Sequence, residues 1–317
     1  MNKKIIITAN NYDNAINILN TNSKYLKAII VGYEKFSDCI NSKLSIKEIN
    51  NLILIAHKQG VEIYMLIDSF IYEDQINELE QLIKTTAEIK IDGIIFNDFA
   101  INQICYENKI DIKLIYNPKT LVTNYGQFDF YLKNNINSVV LPNELLLNEI
   151  LEMGDNCQIN NKKIEIIKQV SGYSMIMFSR WDLIKNFCEK EQINYHDLKD
   201  KKLWIKENSR EFPSIILENE YGTHIFSGFC ISCLKFINSF IEHNINVFLI
   251  DSFLKNDKWT LDTLNLYTKL LDNLENLNLI NDLIKNEITI NLPDQTSISF
   301  LGNKSDLLYL PKDKNNE

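Results

Sequence analysis

Short apolar runs of four to seven residues recur along the chain, and a longer segment with helically spaced apolar residues follows most of them. The runs are Lys4–Thr8, Ala28–Val31, Glu62–Ile67, Gly93–Phe96, Lys113–Tyr116, Ser138–Leu141, Ile164–Val170 and Val247–Ile250. Helical patterns fall near Ala15–Leu19, Ile46–His57, Asp74–Thr85, Asn124–Lys133 and Leu145–Met153. The first seven runs start about 20 to 35 residues apart. That is the repeat of consecutive strand–helix units, whose parallel strands need crossover helices. Eight runs predict an α/β fold, a (β/α)8 TIM-barrel-like architecture. A doubly wound sheet would alternate in the same way, but no G-x-G-x-x-G turn or Walker-type phosphate loop follows any run.

The repeat breaks between the seventh and eighth runs. Residues from about 185 to 228 mix charges around Trp204 and hold two strand-like pieces, Ser214–Leu217 and Thr223–Phe226. Glu220-Tyr221-Gly222-Thr223 between them reads as a hairpin turn. This predicts an insertion over the barrel mouth. Residues 1–280 are then the barrel with its insertion, and 281–317 a C-terminal β appendage and tail. The appendage is inferred from two alternating stretches in Ile288–Leu310, after a long helix over Leu261–Leu277.

Composition narrows the class. Of 317 residues, 45% are hydrophobic and 24% charged, a globular mixture. The opening Met1-Asn2-Lys3-Lys4 and its short apolar stretch lack a small-residue cleavage site and do not read as a signal peptide. No apolar run approaches the ~20 residues of a membrane span. A soluble cytoplasmic protein with no membrane partner is expected. The net charge of −9 argues against a broad nucleic-acid-binding surface, which needs clustered cations. The Lys, Asn and Ile excess is that of AT-rich codons, and Arg180 and Arg210 are the only arginines.

Six cysteines, at 39, 105, 157, 188, 230 and 233, fit no disulfide framework without a secretory signal. Cys230-x-x-Cys233 has ligand spacing but no second close pair. It reads as core thiols on the buried face of a helix. The four histidines form no H-E-x-x-H pair, and no G-x-S-x-G elbow occurs. Neither a metal site nor another cofactor is expected. A Cys230–His224 couple is the remaining nucleophile arrangement, and it would need a lowered thiol pKa. In a barrel, chemistry belongs at the C-terminal strand ends. Those positions hold Asn10, Gly32, Asp68, Asn97, Asp98, Asn117, Asn143, Glu144, Ser171 and Asp251. The same residue types also cap helices, so position alone leaves either role open.

Several stretches together carry a resemblance. Gly32-Tyr33-Glu34-Lys35-Phe36 follows the second run, and His57-Lys58-Gln59-Gly60 precedes Ile63-Tyr64. Asn117-Pro118-Lys119-Thr120 is followed by Thr123-Asn124, and Leu141-Pro142-Asn143-Glu144-Leu145 by Glu149-Ile150. Then come Glu207-Asn208-Ser209-Arg210, Pro213 to Glu218, Gly222-Thr223-His224-Ile225 and Ile250-Asp251. In order and spacing the chain resembles the collagenase-like peptidase family U32, nearly end to end. Within that family it is most similar to the shorter subunit of paired bacterial proteins that install 5-hydroxyuridine in tRNA. The resemblance implies a barrel acting in prephenate-dependent hydroxylation of wobble uridine, with a longer homologous subunit as partner. It also brings the peptidase activity of the family name, against which the sequence shows no nucleophile–base–orienter set and no metal site.

Departures from the family pattern are informative. Where it has Val-His-Gly and a following cysteine, this chain reads Val170-Ser171-Gly172-Tyr173-Ser174-Met175. Where it has Lys-Ile-Glu-Gly-Arg, this chain reads Leu249-Ile250-Asp251-Ser252-Phe253, and the arginine before Glu144 is Asn143. The four cysteines of its iron–sulfur branches are not in place, which speaks against such a cluster. The losses leave a non-catalytic scaffold subunit as a third reading beside RNA modification and peptide hydrolysis. Glu144 and Asp251 are the candidate catalytic acids. Asn117, Thr120, Asn124 and His224 are expected to contact substrate, and Arg180 and Arg210 to hold an anionic group. Lys199, Lys201, Lys202, Lys206, Lys255 and Lys258 are the lysines that could meet RNA.

Overall fold

A computed structural model describes residues 3–159, 161–199, 201–208 and 212–302. Eight strands form a parallel sheet: β1 (Lys4–Thr8), β2 (Leu26–Tyr33), β3 (Glu62–Ile67), β4 (Gly93–Phe96), β5 (Lys113–Tyr116), β6 (Ile136–Leu141), β7 (Glu165–Gly172) and β8 (Val247–Ile250). Strand β8 pairs with both β7 and β1, Val247 facing Ile167 on one side and Lys4 on the other, so the sheet closes into a barrel. The strands are apolar on both faces because both are covered. Ile6, Ile30, Tyr64, Leu66, Ile95, Ile115, Val140, Ile167 and Leu249 fill the interior. The alternate residues, such as Ile5, Ile7, Ile29, Val31, Met65 and Ile94, pack outward in the main core.

Helices α1 (Tyr12–Asn20), α2 (Ile46–His57), α3 (Ile76–Glu88), α4 (Phe99–Glu107), α5 (Phe128–Lys133) and α6 (Leu147–Asp155) cross between the first seven strands. A reciprocal capping box of Ser45 and Glu48 starts α2. At the N-terminal end of the barrel, the Glu165 carboxylate is held by Lys27, by Lys113 at 2.8 Å and by the Ser138 hydroxyl at 3.1 Å.

The insertion begins earlier than the charge pattern implies, directly after β7. Four antiparallel strands lie in the order Met175–Ser179, Gly222–Phe226, Ser214–Asn219 and Leu203–Ile205. Helix α7 (Leu183–Glu191) covers one face through Ile184 and Cys188 against Ile216. Entry and exit are stapled together: the Ser227 amide donates to the Ser174 carbonyl at 2.8 Å, and the Ser174 amide to Ser227 Oγ at 3.0 Å. The chain then rejoins the barrel through Phe229–Ser232, which runs antiparallel to the end of β7.

Three local expectations change. Cys230 lies on that strand and Cys233 just beyond it, not on a helix, although both are buried as expected. The long helix after β8 is α9 (Asp257–Asp272), and it follows the short α8 (Ile237–Glu242) that precedes β8. Ile288–Asn291, at the start of the stretch read as alternating, is the last turn of α10 (Leu277–Asn291); among the described residues of that stretch only Gln295–Ser297 is extended, pairing in parallel with Phe229–Ser232. The alternation Ile288-Thr289-Ile290-Asn291 mimics a strand period, but the buried face of α10 is Leu283, Glu287 and Asn291, four residues apart each time. The rest of the proposed appendage, from 303 onward, lies outside the described residues. Glu287 accepts hydrogen bonds from the Ser232 hydroxyl and from Tyr267 Oη at 3.3 Å, and burial pushes its pKa up to about 7. Among the described residues no helix is long and apolar enough to cross a membrane.

Candidate active site at the barrel mouth

The C-terminal strand ends open beneath the inserted sheet into a cavity of about 390 Å³. Its polar lining is Asp38, Cys39, Asp68, Asn97, Asp98, Lys119 and His224, and Phe70, Phe99, Met175 and Phe178 supply apolar walls. A smaller space of about 30 Å³ below it shares Cys39, Lys119 and Met175 and adds Asn117, Asn143, Gln169 and Asp251.

Asp68, one residue past β3, organises the mouth. Its Oδ1 accepts the backbone N–H groups of Asp38 at 2.8 Å and Cys39 at 3.3 Å, which pins the loop after β2. Its Oδ2 lies 3.3 Å from Lys119 Nζ. Lys119 follows Asn117-Pro118 at the end of β5 with a left-handed φ of 66°. Burial alone would lower the lysine pKa, but Asp68, Cys39 and Asp251 outweigh it and hold Lys119 protonated, above the ordinary range. Asp251 is pushed up by burial, with Lys119 and the Phe253 amide opposing the shift. The Cys39 thiol is raised by burial and then by Asp68 and Asp38, so it is no ready thiolate nucleophile.

His224 descends from the inserted sheet. Its Nε2 is 2.6 Å from Asp38 Oδ2, and Asn219 Nδ2 donates to the other carboxylate oxygen at 2.8 Å. His224 is only 2% exposed, and among the described residues its Nδ1 has no hydrogen-bond partner. Phe178 packs on the imidazole at 4.9 Å and stacks on Phe70 at 4.4 Å with 19° between planes. Donor atoms of Asp38, Cys39 and His224 lie within 4.8 Å of one another, an oxygen, a sulfur and a nitrogen suited to a metal ion.

Of the residues expected from sequence, the structure brings together His224, Asp251 and Asn117. Glu144 is exposed in the turn after β6 and lines neither cavity. Thr120 and Asn124 are exposed on the loop after β5. Arg180 is also exposed, its guanidinium stacked 3.8 Å over the Tyr72 ring. Arg210 lies outside the described residues. The His224–Cys230 couple is replaced by His224–Asp38. Sequence reasoning passed over Asp38, Cys39 and Lys119 as site residues. Lys119 sits inside a stretch already singled out, whereas Asp38 and Cys39 lie past the strand end, where the strand-end rule does not look. Lys202 and Lys255 turn inward: Lys202 reaches Tyr173 Oη at 2.9 Å, and Lys255 pairs with Asp294 at 2.6 Å.

Comparison with known proteins places these features. "tRNA hydroxylation protein P2" of Bacillus subtilis (strain 168) is 28% identical over 251 residues, 77% of this chain and 79% of that protein. "tRNA hydroxylation protein P1" of the same organism is 20% identical over 249 residues, 77% of this chain but 58% of its own length. A solved U32 peptidase structure aligns with a TM-score of 0.43 at 11% identity, over 54% of this chain and 70% of the other. The sequence profile of peptidase family U32 matches residues 17–306, and the chain therefore belongs to that family.

Proposed function

We propose that this chain acts in tRNA modification, as a subunit for hydroxylating wobble uridine to 5-hydroxyuridine, with prephenate as the small carboxylate donor and a longer homologue as partner. The observation that carries the reading is the similarity to tRNA hydroxylation protein P2 across most of both chains. The geometry supports a small planar ligand at the mouth. Phe70 and Phe178 form an aromatic wall on which a base can stack, and Asn97 and the carboxylates offer edge contacts. Lys119 is the cation available to a carboxylate or phosphate in the cavity, whereas Arg180 lies at the rim. Asp251 is the acid positioned to orient substrate or take a proton, with Asn117 beside it, while Glu144, Thr120 and Asn124 would act from the rim.

Nucleoside mass spectrometry on total tRNA from cells with and without the gene tests the reading. Loss of 5-hydroxyuridine or its derivatives, restored by the wild-type chain and not by Lys119→Met or Asp251→Asn variants of equal abundance, is the expected result. An unchanged nucleoside profile would refute it.

A further inference from the structure

From the mouth cluster we infer a site for one divalent transition-metal ion of the zinc class, ligated by Asp38, Cys39 and His224. The inference does not depend on the tRNA reading, and its test reads metal alone.

Four features point the same way. The donors are already assembled: one carboxylate oxygen, one thiol sulfur and one imidazole nitrogen within 4.8 Å of one another. Zinc bonds of about 2.0 to 2.3 Å put tetrahedral ligand atoms roughly 3.3 to 3.8 Å apart, so side-chain rotations that part His224 Nε2 from Asp38 Oδ2, 2.6 Å apart in a hydrogen bond, would admit an ion among the three donors. Second, the cluster is built from two anchored places, the loop after β2 and the inserted sheet. Asp68 pins the backbone of Asp38 and Cys39, Asn219 fixes the Asp38 carboxylate, and the inserted sheet fixes His224. A coincidental cluster of mobile surface groups would have none of these supports. Third, His224 is buried and, among the described residues, its Nδ1 has no hydrogen-bond partner, an open requirement for an electrophile. Fourth, the surrounding charge favours a cation. Asp38, Asp68, Asp98 and Asp251 line the mouth spaces against the single ammonium of Lys119.

The donor set selects the class of ion. Thiolate and imidazole suit zinc-like ions, and a hard ion such as magnesium would not choose them. Three protein ligands leave a fourth position for water or substrate, and all three residues line the larger cavity. Binding forms three dative bonds and releases the Cys39 thiol proton to solvent, and no electron is transferred.

The test uses the full-length protein stripped of metal by a chelator and titrated with Co²⁺, then with Zn²⁺ in competition. One equivalent of Co²⁺ is expected, with tetrahedral d–d bands and a cobalt–thiolate charge-transfer band that Zn²⁺ abolishes. Cys39→Ser, a near-isosteric change, is expected to remove the charge-transfer band and weaken Zn²⁺ binding by at least about tenfold. Cys230→Ser/Cys233→Ser is expected to leave both unchanged. Circular dichroism of each variant establishes that it is folded, and His224→Gln serves as the second ligand test. Absence of stoichiometric binding would overturn the site, as would a cobalt–thiolate band that survives Cys39→Ser or disappears with the Cys230/Cys233 variant.

Discussion

Burial of Glu287 makes a specific claim about how stability varies with pH. The carboxyl sits between α9, α10 and the strand Phe229–Ser232, only 2% exposed, touching two hydroxyls and, among the described residues, no cation. Its pKa rises from 4.5 to about 7 because burial penalises the charged form. Between those values the folded chain holds a proton that the unfolded chain has lost. Stability therefore falls as pH rises through that window and levels off above pH 7. At about 1.36 kcal/mol per pH unit, the whole displacement corresponds to about 3 kcal/mol. Glu287→Gln keeps the shape and removes the ionisation, so the difference in unfolding free energy between variant and wild type isolates this group. Urea denaturation from pH 4.5 to pH 8 is expected to show the variant gaining on wild type steadily, by about 3 kcal/mol in all. A difference that stays flat across the range would refute the reasoning.

Other substitutions probe the frame around the site. Glu165→Ala leaves Lys27 and Lys113 without their shared counter-ion and is expected to cost about 2 to 4 kcal/mol in chemical denaturation, with part recovered when both lysines become Met. Gly172 combines a φ of 114° with an added Cβ only 2.2 Å from the Asp251 carbonyl oxygen; Gly172→Ala should lower the melting temperature by an amount equivalent to more than about 1 kcal/mol and displace Asp251. Ser45→Ala removes one half of the α2 capping box at an exposed site, and thermal melts should register a loss of about 1 kcal/mol.

The barrel was readable from sequence because each strand is a compact apolar run bounded by polar residues, and both strand faces are buried. Periodicity carries that information without any long-range contact. Where it misled, at Ile288–Asn291, alternation in a short stretch is compatible with either period, and the packing of Glu287 and Asn291 decided. The site was half readable. Asp251 and Asn117 follow from the strand-end rule and His224 from the family-like stretch. The partners of His224 could not be reached that way: Asp38 is 186 residues distant, and only the hairpin's descent onto the β2 loop makes them neighbours. Arg180 was singled out because arginine is rare here, yet its charge rests on Tyr72 at the rim. Scarcity of a residue type says nothing about the direction of its side chain.

The staple between Ser174 and Ser227 gives the intervening 52 residues the topology of a cassette. Its two ends meet, so the barrel can accept a different cassette at that point without any change in strand register. The barrel contributes Asp38, Cys39, Asp68 and Lys119, whereas the cassette contributes His224. Replacement of one contiguous stretch would thus exchange the histidine and the Phe178 half of the aromatic wall together, leaving Phe70 and the acidic floor intact. On this scaffold one side of the site can diverge while the barrel that carries the other side, and most of the core, stays as it is.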